Sequence, residues 1–222
     1  MERLVIVLIL AALLPSVALA RNCQYEKGEE RWAVKTSVPS IDAISSPHTV
    51  NLASLIRLKN PPMTKQEEKA IEDKLWDGSA KVKDTSGNEI TLHEGDIVTV
   101  TGYVYRARCQ RDGDFHVEIG AGKTRKSKCI IVEVPDPDQI QDPQLRALVS
   151  EARDALAQMD KSVYQSRPKK KPFKATFTGQ LFLDAPHYRR SDPSGGRGSL
   201  LFSGQHCASN LWEIHPVVRI EQ

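Results

Sequence analysis

The chain has 222 residues, 40% of them hydrophobic and 27% charged, with a formal net charge of +3. That length accommodates one elaborated domain or one large and one small unit, and so mild a charge excludes the strongly basic composition of a dedicated nucleic-acid binder. Beyond the first residues, no stretch approaches the roughly 20 apolar residues a membrane-spanning helix needs.

Residues 1–20 read as a cleaved export signal. Arg3 lies in a short leading region, Leu4 to Leu14 is apolar, and Ala18-Leu19-Ala20 offers the small residues that cleavage requires. The mature chain is expected to start at Arg21. Because Arg21 and Asn22 precede Cys23 where a lipoprotein signal carries small residues, the expectation is a soluble exported protein, periplasmic or extracellular. All four cysteines, Cys23, Cys109, Cys129 and Cys207, then reach an oxidising compartment, where disulfides are the default, and none has metal-ligand spacing.

Residues 21–94 form an N-terminal extension. Arg31-Trp32-Ala33-Val34-Lys35 alternates and predicts a short strand, followed by an irregular Ser- and Pro-rich stretch through Pro62. Thr64 with Glu67 makes a capping box ahead of Ala70, Ile71 and Leu75, and Gly78 supplies a stop, so a helix is predicted over 65–76. Lys81 to Leu92 predicts a hairpin around Ser86-Gly87-Asn88.

Residues 95–222 show a clearer order. Asp96 to Arg108 predicts a long strand with a bend or bulge at Gly102. Phe115 to Ile119 and Cys129 to Val134 follow as strands. Asp142 then caps a helix that has Pro143 at its first position and Leu145, Leu148, Val149, Ala152, Leu156 and Met159 at helical spacing. Phe173 to Asp184, with a mid-strand Gly179, and Leu211 to Ile220 complete the set. Three strands, a helix and two strands is the order of the OB-fold, a mainly β five-stranded Greek-key barrel, and central glycines suit strands that must bend to close it.

In that barrel the second strand pairs with the third and the third with the fifth. Alternation then puts His116, Glu118, Glu133, Glu213 and His215 on one side, opposite the apolar Val117, Ile119, Ile130, Val132, Val134, Trp212 and Ile214. The expectation is an outward-facing His and Glu surface. It reads as a network of ion pairs, as a divalent metal site with imidazole and carboxylate ligands, or as general acid and base catalysts. Asp112 and Asp114 form an ordinary Asp-Gly-Asp turn, which a nuclease of the OB type would reuse as metal ligands.

Nucleic acid is a weaker reading. Lys123, Arg125, Lys126 and Lys128, then Arg167 with Lys169 to Lys171, then Arg189, Arg190 and Arg197 supply basic loops, yet the acidic outer face of the second and third strands repels phosphate. Tyr103, Tyr105, Phe182 and Tyr188 are candidates for an aromatic ligand surface, whereas Trp32, Trp76 and Trp212 read as core or interdomain anchors. For the disulfides, Cys109 and Cys129 fall at opposite ends of the second strand, which favours Cys109 with Cys207 and Cys23 with Cys129.

The segments Glu30 to Thr36, Gly95 to Thr99 with Gly102, Asp112 to Ile119, Ile131 to Pro135, Thr178 to Phe182 and Glu213 to Pro216 resemble the recurring blocks of a family of uncharacterised exported bacterial proteins with an OB-like domain. The resemblance implies a shared fold more than a shared reaction. The functional expectation is an exported binding or interaction module. The alternative is a metal-dependent hydrolase of nuclease or phosphodiesterase type working on the His and Glu face, with a divalent metal as the candidate cofactor.

Overall fold

In the computed structural model the described residues are 31–124, 128–164, 171–188 and 207–222. The predicted export signal, Cys23, and the basic residues Arg125, Lys126, Arg167, Lys169, Lys170, Arg189, Arg190 and Arg197 lie outside them. Strands β4 (Ile97–Cys109), β5 (Phe115–Gly120), β6 (Cys129–Val134), β7 (Phe173–Leu183) and β8 (Ala208–Glu221) follow the short β1 (His48–Thr49) and the hairpin of β2 (Ser79–Lys83) with β3 (Glu89–His93). The order β4-β5-β6-β8-β7, with β7 pairing back onto β4, closes a five-stranded barrel. The β6–β8 contact is parallel and the other four are antiparallel. This is the OB-like architecture expected from the element order.

Alternation explains the barrel's lining. Phe115, Val117 and Ile119 on β5, Ile130, Val132 and Val134 on β6, Leu181 on β7 and Ile214 on β8 meet in one buried apolar cluster. The long helix after β6, Pro143–Met159, packs Leu145, Val149, Ala152 and Leu156 against it, and its first free amides, those of Gln144 and Leu145, are taken by the Asp142 side chain at 2.8 Å. Gly179 lies where the β7–β8 register shifts, and a Cβ there would run into the carbonyl oxygen of Pro216, so the predicted irregularity holds. At Gly102 it does not. The β4 irregularity falls between Val104 and Arg106, and Gly102 is instead needed because a Cβ would collide with Leu52.

The N-terminal extension departs from its predicted elements for one physical reason. Arg31 takes a left-handed conformation (φ 53°) ahead of a single helical turn, Trp32–Lys35, where a strand is predicted from the alternation. Its buried guanidinium donates to Glu94 Oε1 at 2.6 Å and Oε2 at 3.1 Å, to the carbonyls of Ile71 and Lys74, and to that of Leu183. Glu94 in turn accepts the amides of Trp76 and Leu183. The helix predicted over 65–76 accordingly stops at Lys65–Ala70 with its capping box intact, because the carbonyls of Ile71 and Lys74 are committed to Arg31. The hairpin forms as predicted, with Gly87 at positive φ in its turn.

The disulfide pairing is corrected. Cys129 is bonded to Cys207, with a Cα separation of 5.2 Å, which excludes both Cys109–Cys207 and Cys23–Cys129. Parallel pairing is the cause: β6 and β8 start at the same end, Cys129 lies opposite Ala208, and Cys207 immediately precedes it. Cys109, at the far end of β4, is also in a disulfide. No helix among the described residues is long and apolar enough to cross a membrane.

Removing one partner of a buried, fully hydrogen-bonded ion pair leaves the other charge stranded. Glu94→Ala is therefore expected to lower stability by about 3–5 kcal/mol. Urea unfolding measures it, and a loss under about 1 kcal/mol would show that the latch is not holding the extension to the barrel.

Candidate functional site

The site assembles where the turn before β5 meets the ends of β6 and β7 and the middle of β8. Gly113, at φ 90°, lets the chain reverse between Cys109 and Phe115. Asp114 leaves that turn with Oδ1 accepting the Asp136 amide at 3.1 Å. Two residues on, His116 lies opposite Glu133 in the β5–β6 ladder, and its Nδ1 is 2.7 Å from Glu133 Oε1. The pairing of Val132 with Ile214 brings His215 next to Glu133 on the same side, with Nδ1 3.1 Å from Oε2. On the other edge of the ring, His215 Nε2 is 3.6 Å from Asp114 Oδ2. Acid and imidazole thus alternate along one row: Asp114, His215, Glu133, His116.

Three of the five predicted residues therefore meet. Glu118 and Glu213 are on the same side but one row along, both opposite Ile131. Glu118 Oε2 is 3.6 Å from the Cys207 sulfur, a contact rather than a hydrogen bond because a disulfide sulfur carries no proton. The predicted outward-facing surface is corrected: all five residues point away from the barrel interior, yet all five are buried, His215 to 0% exposure. Period-two alternation tells the side of the strand a residue takes, not what covers that side.

Two contributors, Lys35 and Asp184, escaped the sequence reading, and Asp114 entered it only as a turn residue and nuclease-type metal ligand, apart from the His and Glu face. Asp114 is 1% exposed, and its place two residues before His116 is the signal that could have added it to the face. Lys35 reaches the row from the N-terminal turn, its Nζ 5.7 Å from the Phe182 ring centre, while that ring packs at 5.6 Å on the His215 imidazole. Asp184, ending β7, pairs with His187 at 2.7 Å and also acts electrostatically on Lys35. Tyr105 and Phe182 are buried and Tyr188 packs partly against the core, so these aromatics do not make an open stacking surface. Trp212 is a core anchor as expected, meeting Trp76 edge-on at 5.7 Å.

Electrostatics sharpens the row. Burial opposes the charge on Glu133, but hydrogen bonds and positive charge from His116 and His215 hold its carboxyl well below the usual range. Asp114 moves the opposite way, well above the usual carboxylate value, through burial and the neighbouring charges of Glu133 and Asp112. Burial pushes His215 below its ordinary value, with Glu133 opposing. Burial also disfavours the charged form of Lys35, yet Asp184, Glu133, Asp114 and Asp112 outweigh it and raise its pKa. The donor atoms of Asp114, Glu133 and His215 lie within 4.8 Å of one another, a set that could hold a cation.

Comparison with family models and with curated proteins gives no match to the chain.

A lowered histidine and a lowered carboxylate both contribute stability that is complete above their unfolded pKa values and lost as pH falls. In chelator-treated protein the urea midpoint should drop as pH goes below about 6.5, the unfolded value for His215, and His215→Gln should flatten that dependence. The raised Asp114 has the reverse sign: its ionisation costs stability as pH rises. Asp114→Asn should consequently raise the midpoint at pH 7.5, and a lowered midpoint in chelator would contradict the assignment.

Proposed function

We propose that the chain is an exported binding module, grouped with the exported bacterial family it resembles, and that its ligand is anionic and engages an open groove beside the barrel. The groove carries the reading. It has a volume of about 690 Å³ and runs between the Arg57–Pro62 stretch and the β2–β3 hairpin, with Trp76 and the prolines Pro61 and Pro62 as apolar walls. Arg57, Lys59, Lys81 and Lys83 line it against one acid, Glu89, which Lys81 engages at 2.9 Å. Four positive charges less one negative charge leave +3. A hollow with an aromatic wall and that charge suits a ligand combining carboxylate, sulfate or phosphate groups with an apolar or planar portion. By contrast, the charged residues lining a second hollow of about 590 Å³ beside Trp32 are Asp73 and Asp142.

Export is supported by the Cys129–Cys207 bond, which an oxidising compartment maintains. The hydrolase alternative is disfavoured by burial: a substrate has to touch its general base, and the row from Asp114 to His116 is closed off from solvent.

Lys59→Glu with Lys83→Glu changes the groove from +3 to −1 and leaves the core untouched, since both side chains are on exposed residues. A fluorescein-labelled oligoglutamate should bind the parent protein at low ionic strength, weaken with added salt, and lose roughly tenfold or more in the double variant. A labelled single-stranded oligonucleotide and an uncharged peptide serve as the comparison probes. Equal affinity of all three for parent and variant, or no anion binding at low salt, would refute the groove as the ligand site.

A further inference from the structure

We propose that Asp114, Glu133 and His215 form a binding site for one divalent cation of the zinc and manganese class, set beneath the surface at the start of β5. This goes beyond the binding-module reading, because the groove and the site share no residue.

Orphaned buried atoms carry the proposal. Asp114 Oδ2 and His215 Nε2 have no hydrogen-bond partner among the described residues, both are almost completely buried, and they face each other at 3.6 Å. Buried polar atoms in that state are rare because each forfeits its hydration without replacement. Ligand bonds of roughly 2.0–2.1 Å place two donors of a tetrahedral metal about 3.3 Å apart, so the observed spacing is near that of a ligand pair. Glu133 supplies a third donor from the adjoining strand.

The surroundings match a metal environment. Asp114 Oδ1 is fixed by the Asp136 amide, and Glu133 Oε1 by His116 Nδ1, so each carboxylate has one oxygen oriented by the protein. His215 Nδ1 also lacks a hydrogen-bond partner among the described residues and lies 3.1 Å from Glu133 Oε2, so the buried ring turns an unpartnered nitrogen toward each carboxylate. One imidazole and two carboxylates suit zinc or manganese, whereas the absence of sulfur from this set argues against copper(I).

A proton shared between Asp114 and His215 would satisfy the same two atoms, and the test separates it from a metal. The full mature protein, stripped with chelator, is titrated with zinc and with manganese by calorimetry, and bound metal is measured after dialysis. About one ion per chain is expected, with a rise in thermal midpoint on loading. Asp114→Asn and His215→Gln should each weaken binding roughly tenfold or more, while Lys69→Ala, exposed on the Lys65–Ala70 helix and outside both the site and the groove, should bind as the parent does. Circular dichroism verifies that the variants are folded. If folded parent protein takes up neither ion, or if both site variants bind as tightly as the parent, the proposal fails and the shared proton stands.

Discussion

The parallel ladder between β6 and β8 is the constraint on which the rest depends. Parallel strands cannot be joined by a tight turn, so the chain must travel through a helix and a further strand before returning. That return closes the barrel, brings the start of β8 against the start of β6, and makes Cys129 and Cys207 neighbours. The same register carries His215 to Glu133, which β5 has already matched with His116. Fold, disulfide and polar row are three results of one strand pairing.

Much of the barrel was legible in the sequence because its signals are local. Asp142 followed by Pro143 marks a helix start by hydrogen-bonding chemistry that acts within three residues, and alternating apolar side chains mark the strands. The less legible features depend on distant partners. Arg31 lies in an alternating segment and still does not enter a strand, because its guanidinium is claimed by Glu94, Leu183 and the turn after the Lys65–Ala70 helix. Gly102 could be recognised as special, but whether it serves a bulge or makes room for Leu52 is a tertiary question. The cysteine pairing failed although the third strand was expected beside the fifth: the expectation left out the direction of that pair, and it is the parallel direction that aligns the two strand starts and with them Cys129 and Cys207.

The polar row shows the same division. Alternation correctly grouped His116, Glu133 and His215, since their register follows from strand pairing. It assigned them to an exposed surface, and they are buried. Burial changes the chemistry. In water an imidazole and two carboxylates would form a weak, screened network, whereas out of water each group must be paired, neutralised or bound to a cation. The opposite pKa directions of Asp114 and Glu133 arise here: both are buried, but Glu133 is held by the two imidazoles of His116 and His215, whereas Asp114 meets the negative charges of Glu133 and Asp112. The open, cationic groove has the converse character, with hydrated charges that cost little to keep and remain available to a ligand. The chain thus separates an accessible recognition surface from a closed polar centre that organises the barrel's flank.

Strand pairing holds His215 in a buried row between Asp114 and Glu133. Long-range nitrogen–proton NMR of the histidine rings in chelator-treated protein tests it most directly, since it reports the protonation of each ring nitrogen. His215 is expected to stay neutral at pH 7 and to titrate below the ordinary imidazole value of about 6.5, with His116 Nδ1 showing the signature of a hydrogen bond. A His215 ring that titrates at or above that value, as a freely hydrated imidazole does, would contradict it.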